Sequence, residues 1–300
     1  MYTKILIPLD GSRTSEKVLP FARVLASMLR LPVELLEVVD ISAVSAHVAS
    51  DKARYLDALI AEGERESREH LKGVATEFPG SKVSCIVERG KAADVIIEKA
   101  AANKGTLIAM ATHGRSGVSR WVMGSVAEKV LRGSESTMFL VRADEEARAD
   151  GATTMKSIVV PLDGSQLAES VLPAAVEIAN SLNLEVVLYR AYELAASAYY
   201  GSEDYLPNYD EMLLNLKKEV EEYLAKKTAA LKSAGLERIS WIAAAGDGAD
   251  EIVRYSREHP DALIAMCTHG RSGVRRWVLG SVTERVVRHS GDPVLVVHAA

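Results

Sequence analysis

The stretch LIAMATHGRSGVSRWVMGSV at residues 107–126 recurs as LIAMCTHGRSGVRRWVLGSV at residues 263–282, with seventeen of its twenty positions identical. A second pair of matching segments lies upstream in each half: IPLDGS at residues 7–12 and VPLDGS at residues 160–165. The chain is therefore two copies of one unit of about 150 residues. Each copy begins with a strand that ends in Asp-Gly-Ser and later contains a glycine-rich turn. The duplication thus predicts domain number, fold type and site position together.

The bulk composition fits two globular domains, each with its own core. A length of 300 residues suffices for two domains of ordinary size, which we place at residues 1–143 and 155–300. Residues 144–154 are polar and charged, and we predict that they form the linker. The net charge of -5, without a Lys/Arg block, argues against nucleic-acid binding. No apolar run is long enough for a membrane span or a signal core, so we expect a cytoplasmic protein without a membrane partner.

Short apolar runs alternate with amphipathic segments in both halves. This alternation predicts an open parallel α/β sheet in each half, with helices on both faces. In the first half the predicted strands are 4–9, 33–39, 83–87, 107–110 and 138–141, and the predicted helices are 16–29, 52–76, 92–101 and 125–132. In the second half the predicted strands are 157–162, 185–189, 239–243, 263–266 and 294–297, with a helix at 210–233.

Both repeated motifs fall where ligands bind in such sheets, at the carboxyl ends of strands. Asp10 ends the first strand and offers a carboxylate to ribose hydroxyls or to an adenine amino group. Gly114 follows the fourth strand and allows close approach of the backbone. Gly124 and Ser125 begin a helix, whose N–H groups and positive end suit a phosphate chain. In the second half the same set is Asp163, Gly270, Gly280 and Ser281.

Each of these residues also has a purely structural interpretation. The glycines close turns, and Ser125 is equally suited to be an N-cap. His113 and His269 are candidates for general bases or for side chains that hydrogen-bond their turn. Arg115 and Arg271 either contact phosphate or face solvent, and Trp121 and Trp277 are expected to pack. Cys85 and Cys267 lack metal-ligand spacing, and each is interpreted as a small core residue.

The T-H-G-x9-G-S turn, with P-x-D-G-S upstream, resembles the universal stress protein family over essentially the whole chain. The family motif is Gly, two residues, Gly, nine residues, Gly and then Ser or Thr. Here the second glycine is Gly114 or Gly270, and the pattern closes at Gly124-Ser125 or Gly280-Ser281. The first glycine is replaced by Ala111 in one half and by Cys267 in the other. Since a cysteine adds a thiol near the expected ribose, the first site is favoured over the second.

The resemblance implies a five-stranded parallel sheet of order 3-2-1-4-5 in each half, a Rossmann-like nucleotide-binding arrangement. It implies ATP as ligand, with Mg²⁺ or Mn²⁺ as a potential companion. The motifs show no base–nucleophile pair, so we predict no catalytic residues. The fifth strands would associate, within the chain as a pseudo-dimer or between chains as a homodimer. The implied ligand contacts are Asp10, Val38, Ala111, Gly114, Gly124, Ser125 and Val126 in the first half, and Asp163, Cys267, Gly270, Gly280, Ser281 and Val282 in the second.

Several functions compete on this sequence. The leading one is an ATP-binding stress-response module that acts by domain pairing or partner docking. An enzyme is the second candidate. Because neither a P-loop nor a G-x-S-x-G elbow is present, we expect at most a slow ATPase. A nucleotide-free interaction scaffold is third, and a cyclic-AMP binder is a narrower variant of the first. Five of the ten tyrosines follow the second strand of the second half. We interpret this segment as a flap over a ligand, a partner contact or a packed surface loop.

Overall fold

The computed structural model describes residues 2–40, 56–112, 123–142, 155–194, 209–268 and 279–298. These residues form two compact units, the first within residues 2–142 and the second within 155–298. The predicted linker 144–154 lies outside the described residues, as do Tyr199, Tyr200 and Tyr205 of the tyrosine-rich segment.

The first unit alternates strands and helices as the sequence predicts. Its elements are β1 (Lys4–Leu9), a 3-10 turn (Ser15–Val18), α1 (Leu19–Leu29), β2 (Val33–Val39), α2 (Leu56–Ala75), β3 (Val83–Arg89), α3 (Ala92–Ala101), β4 (Thr106–Ala111), α4 (Ser125–Gly133) and β5 (Thr137–Val141).

The second unit repeats this order and adds one short helix. Its elements are β6 (Ser157–Pro161), α5 (Gln166–Glu169), α6 (Leu172–Leu182), β7 (Glu185–Tyr192), α7 (Tyr209–Ser233), β8 (Ile239–Ala245), α8 (Gly248–Glu258), β9 (Ala262–Cys267), α9 (Ser281–His289) and β10 (Val294–Val297).

Within each unit the strands are parallel and follow the predicted order 3-2-1-4-5. In the first unit β1 pairs with β2 and β4, β2 also pairs with β3, and β4 also pairs with β5. In the second unit β6 pairs with β7 and β9, β7 with β8, and β9 with β10. The direction of strand order reverses beside β1 and β6, so a crevice is expected at their carboxyl ends.

The central strands are buried because helices cover both faces of each sheet. Every residue of β4 and of β9 is buried, as expected for parallel strands that lack a solvent face. Phe139 on β5 is the largest fully buried side chain. Among the described helices, none has the length and the apolar composition needed to cross a membrane.

The predicted helix at 16–29 is wrong in its first turn, which is a separate 3-10 turn. Pro20 lies at the start of α1 and lacks the N–H that would bond the carbonyl of Glu16, so an unbroken α-helix cannot form there. The second unit shows the same break before Pro173, where α5 ends and α6 begins. The helices α1 and α6 also end alike, on the left-handed residues Arg30 and Asn183.

Candidate functional site

The Asp-Gly-Ser turns hold a carboxylate at the carboxyl end of each central strand. Asp10 Oδ1 accepts hydrogen bonds from the backbone N of Ser12 at 3.0 Å and from its Oγ at 2.6 Å. In the second unit, Asp163 Oδ1 accepts from the backbone N of Ser165 at 2.9 Å. The glycine between the aspartate and the serine of each turn, Gly11 or Gly164, has a φ of 74° or 88°, a backbone conformation that favours glycine. The motif is thus a turn that fixes the orientation of its aspartate.

The second motif brings a helix start to the same edge of each sheet. The backbone N of Gly124 donates to the carbonyl of Thr112 at 2.7 Å, and that of Gly280 donates to Thr268 at 2.8 Å. Both threonines directly follow the strand that pairs with the central strand, so the helix begins beside the end of that strand. The four residues Thr112, Gly124, Thr268 and Gly280 therefore place α4 and α9 in equivalent positions.

The N-cap of each helix is a glycine, which corrects the interpretation of Ser125 as an N-cap. Gly124 and Gly280 occupy the cap positions with nearly the same extended backbone, φ -61° and ψ 145° against φ -60° and ψ 142°. A glycine cap provides no side-chain acceptor for the first-turn N–H groups. Ser125 is exposed at the first helical position, as is Ser281. A positive helix end without a capping side chain suits an anionic ligand.

A pocket of about 300 Å³ lies at the carboxyl edge of the second sheet. A volume of this order is at the small end of ligand sites. Its lining joins residues that are far apart in sequence, from the Asp-Gly-Ser turn, the end of β9 and the start of α9. Five of the residues predicted for this half line it: Asp163, Cys267, Gly280, Ser281 and Val282.

The lining also includes residues that the sequence analysis did not name for this half. Tyr189 and Ala191 of β7 and Ile252 of α8 contribute apolar surface to its lining. Burial raises the pKa of Tyr189 to about 12, so its hydroxyl stays protonated and donates to the carbonyl of Glu251 at 3.4 Å. The pocket therefore combines an apolar wall with a carboxylate and a positive helix end.

The first unit places its predicted residues at the matching edge. Asp10 follows β1, Val38 lies near the end of β2, and Ala111 is the last residue of β4 and is buried. The start of α4 exposes Val126 to 36%, and the start of α9 exposes Val282 to 39%. An apolar side chain is thus exposed at the same place in both units.

The two cysteines differ in their surroundings. Cys267 is buried at the end of β9, where its Sγ lies 3.3 Å from Ser170 Oγ and its carbonyl accepts from the hydroxyl of Thr283 at 2.8 Å. Cys85 is exposed on β3, so its interpretation as a core residue is wrong. Among the described strands, β3 pairs with β2 alone, and it exposes several of its residues. A short apolar-rich run does not show whether its strand lies at the edge or in the centre of a sheet.

The glycine-rich turns themselves lie outside the described residues. This applies to Gly114 and Gly270 of the predicted site, and to His113, His269, Arg115, Arg271, Trp121 and Trp277. Within the described ranges, no group of three or more His, Cys, Asp or Glu side chains is arranged to hold a metal ion.

The fold defines a class of protein: an open parallel α/β unit, duplicated, with a pocket at the carboxyl edge of the second sheet. A model of the universal stress protein family matches residues 1–142 and, again, residues 154–298. The chain therefore belongs to the universal stress protein family, in a tandem form, and the resemblance noted from its motifs is confirmed.

Relatives and solved structures agree with this assignment. The universal stress protein MJ0531 of Methanocaldococcus jannaschii is 33% identical over 150 residues, 49% of this chain and 85% of the relative. The universal stress protein YxiE of Bacillus subtilis is 33% identical over 147 residues, 47% of this chain and 97% of the relative. A universal stress protein structure from Archaeoglobus fulgidus matches with TM-score 0.70 and 23% identity, covering 99% of this chain and 98% of its own. That last likeness supports the tandem fold.

Proposed function

We propose that the chain is an ATP-binding module of the stress response, with one nucleotide site at the carboxyl edge of each sheet. The observation that carries the proposal is the second-unit pocket. It is lined both by Asp163 and by the uncapped start of α9, from Gly280 to Val282. A carboxylate suits ribose or adenine donors, and a helix N-terminus suits phosphates.

The chemistry of the donor set fits an adenine nucleotide. Tyr189, Ala191 and Ile252 offer an apolar surface to a base, and Ser281 adds a hydroxyl beside the helix N–H groups. The equivalent residues of the first unit, Asp10 and Ser125, occur in the same local geometry. A magnesium or manganese ion bound with the phosphates belongs to the same proposal, and the ion would be held largely by the nucleotide.

Two matched substitutions test the sites separately. Ser125→Glu and Ser281→Glu each place a carboxylate at the first helical position, where phosphate is expected. Acidic residues stabilise a helix start by about 0.3–1 kcal/mol, so folding should be unaffected or improved. The control is Ser27→Glu, an equal charge change on the exposed face of α1, whose end leads to the opposite edge of the sheet.

Calorimetric titration with ATP and native mass spectrometry give the stoichiometry. We expect two sites in the unmodified chain and in Ser27→Glu, and one in each of Ser125→Glu and Ser281→Glu. Unchanged binding in both site variants would refute the placement of the phosphates. A folded chain that ignores ATP would instead favour the nucleotide-free scaffold, and competition with cyclic AMP would show whether the sites prefer the cyclic ligand.

The proposal includes the arrangement of the domains and the location of the chain. We place the domain boundaries at residues 1–143 and 155–300, which limited proteolysis within 144–154 would support. Association through β5 and β10, within the chain or between chains, is part of the proposal, and the sedimentation mass compared with 32.4 kDa separates those two cases. A cytoplasmic location, where ATP is abundant, completes it and is testable by cell fractionation.

A further inference from the structure

A histidine joins two carboxylates behind the Asp-Gly-Ser turn of the first unit. His70 on α2 contacts Glu37 of β2 through Nδ1 at 3.0 Å and Glu16 of the 3-10 turn through Nε2 at 2.9 Å. Glu37 is buried, and His70 and Glu16 are partly exposed. We call these three residues the His70 cluster. It connects a strand, a helix and the 3-10 turn that follows the Asp-Gly-Ser turn.

The second unit has a different set of groups in the same place. Leu36 of β2 and Tyr189 of β7 each pair with the proline of their own central strand. The residues that follow them, Glu37 and Arg190, therefore occupy equivalent positions in the two units. Tyr223 of α7 donates to Glu169 at 2.7 Å, and Lys227 donates to the other oxygen of Glu169 at 2.6 Å. The Arg190 guanidinium lies 4.7 Å above the Tyr223 ring. These four residues, Glu169, Arg190, Tyr223 and Lys227, are the Arg190 cluster.

Both clusters touch the turn that orients the site aspartate. In the first unit the backbone N of Glu16 donates to Ser12 at 3.2 Å, and the backbone N of Asp10 donates to Ser15 Oγ at 3.3 Å. In the second unit the Arg190 guanidinium packs against the turn so closely that a Cβ on Gly164 would lie 3.1 Å from its Nη1. Each cluster is therefore in a position to order its turn.

We propose that His70 and Arg190 are the positioning residues of the two nucleotide sites, and that they give the sites different responses to pH. This inference rests on the proposed function, because the turns they order carry Asp10 and Asp163. Arg190 does not line the pocket that Asp163 lines, and we infer that each side chain acts through the turn of its own unit. The first site is expected to weaken as pH rises through neutrality, and the second to stay constant.

The direction follows from the hydrogen bonds of His70. Burial alone would lower the pKa of His70, but its hydrogen bonds with Glu37 and Glu16 outweigh burial and raise the pKa above its ordinary value. Below that pKa the imidazolium donates to both carboxylates. Above it one ring nitrogen carries a lone pair toward a carboxylate, so either Glu16 or Glu37 loses its donor. The turn at Asp10 is then less ordered and more negative, and both effects weaken binding of an anionic nucleotide.

The Arg190 cluster contains no histidine. Arginine stays charged at every physiological pH. Burial and the hydrogen bond to Glu169 raise the pKa of Tyr223, so its hydroxyl remains a donor. Burial alone would raise the pKa of Glu169, but the bonds from Lys227 and Tyr223 lower it, so that carboxylate stays ionised.

Titration of single-site chains tests the inference. Ser281→Glu leaves the first site alone and Ser125→Glu leaves the second, and ATP affinity is measured for each between about pH 6 and about pH 8. The ratio of the two affinities removes the titration of ATP itself. We expect the first site to weaken by about fivefold or more relative to the second. His70→Gln, which is neutral throughout, and His70→Tyr, which copies the second unit, should both abolish that difference.

A measurement without nucleotide separates this inference from the proposed function. Hydrogen exchange of the ligand-free chain, corrected for the intrinsic pH dependence of exchange, reports the order of peptides 10–18 and 163–171. We expect protection of the first peptide to fall across the same pH range, the second to hold, and His70→Gln to remove the change. If ATP fails to bind at any pH, the proposed function fails and the exchange data alone decide. Equal pH responses of the two peptides, or a response that survives His70→Gln, would overturn the inference.

Discussion

The close contact between Gly164 and Arg190 gives a prediction whose size follows from geometry. Gly164 has φ of +88°, and a Cβ there would lie 3.1–3.2 Å from three guanidinium atoms of Arg190. Gly235, in the same unit, has φ of +98° with no atom within 4 Å of such a Cβ. An alanine at either position is strained by about 1 kcal/mol because of its left-handed backbone. Only Gly164→Ala must also displace Arg190, which is 6% exposed and stacked on Tyr223.

That displacement should cost about 1 kcal/mol more, in the range of small overpacking changes. We therefore expect Gly164→Ala to lower the free energy of unfolding of the second unit by about 2 kcal/mol, against about 1 kcal/mol for Gly235→Ala. Urea denaturation of the two variants measures this difference. In an Arg190→Leu background the two alanine substitutions should become equal. If they already cost the same with Arg190 present, within about 0.3 kcal/mol, the guanidinium does not support the turn and the reasoning is wrong.

Three further predictions concern stability. Asp247 caps α8 by accepting hydrogen bonds from the backbone N of Ala249 and Asp250, whereas Lys91 in the equivalent place of α3 makes no cap. Asp247→Ala should therefore lower the free energy of unfolding by about 1 kcal/mol, and Lys91→Asp should raise it by a similar amount. Urea denaturation measures both changes. Hydrogen bonds from Lys227 and Tyr223 lower the pKa of Glu169, so its ionised form stabilises the second unit above its unfolded pKa of about 4.3. Glu169→Gln should therefore lower the melting temperature near neutral pH but not in acid. Phe139→Ala should destabilise the first unit by about 3–5 kcal/mol in thermal unfolding because it empties a fully buried site.

The strands were predictable because buried parallel strands are short apolar runs. The same runs occur in the same order in both halves of the chain, which supported the assignment in each half. β2 and β10 have the predicted bounds, and Asp10 and Asp163 follow the carboxyl ends of their strands, as expected. The end of β7 was not predictable in this way. It continues to Tyr192, past the predicted end at residue 189, since pairing with β8 rather than hydrophobicity extends it.

The parts of the site that sequence missed are contacts between distant polar residues. His70 and Glu16 are 54 residues apart, and each is unremarkable in its own helix or turn. The pocket walls Tyr189 and Ile252 belong to elements without a motif, and only the folded sheet brings them beside Asp163. A local motif reflects backbone requirements, such as the positive φ of Gly164. Side chains that meet across the fold are not separated by a fixed spacing in sequence, so no local pattern predicts them.

The opposite charges of Glu37 and Arg190 constrain how the duplicated gene can recombine. A gene-conversion tract that carried the β7 sequence into the first half without the helix that follows it would put a guanidinium beside His70. It would also deprive His70 of one carboxylate partner. The strand and its helix can therefore pass between the halves only together. The segments 107–126 and 263–282 contain none of the residues of the two charge clusters, so exchange between these segments leaves both clusters intact.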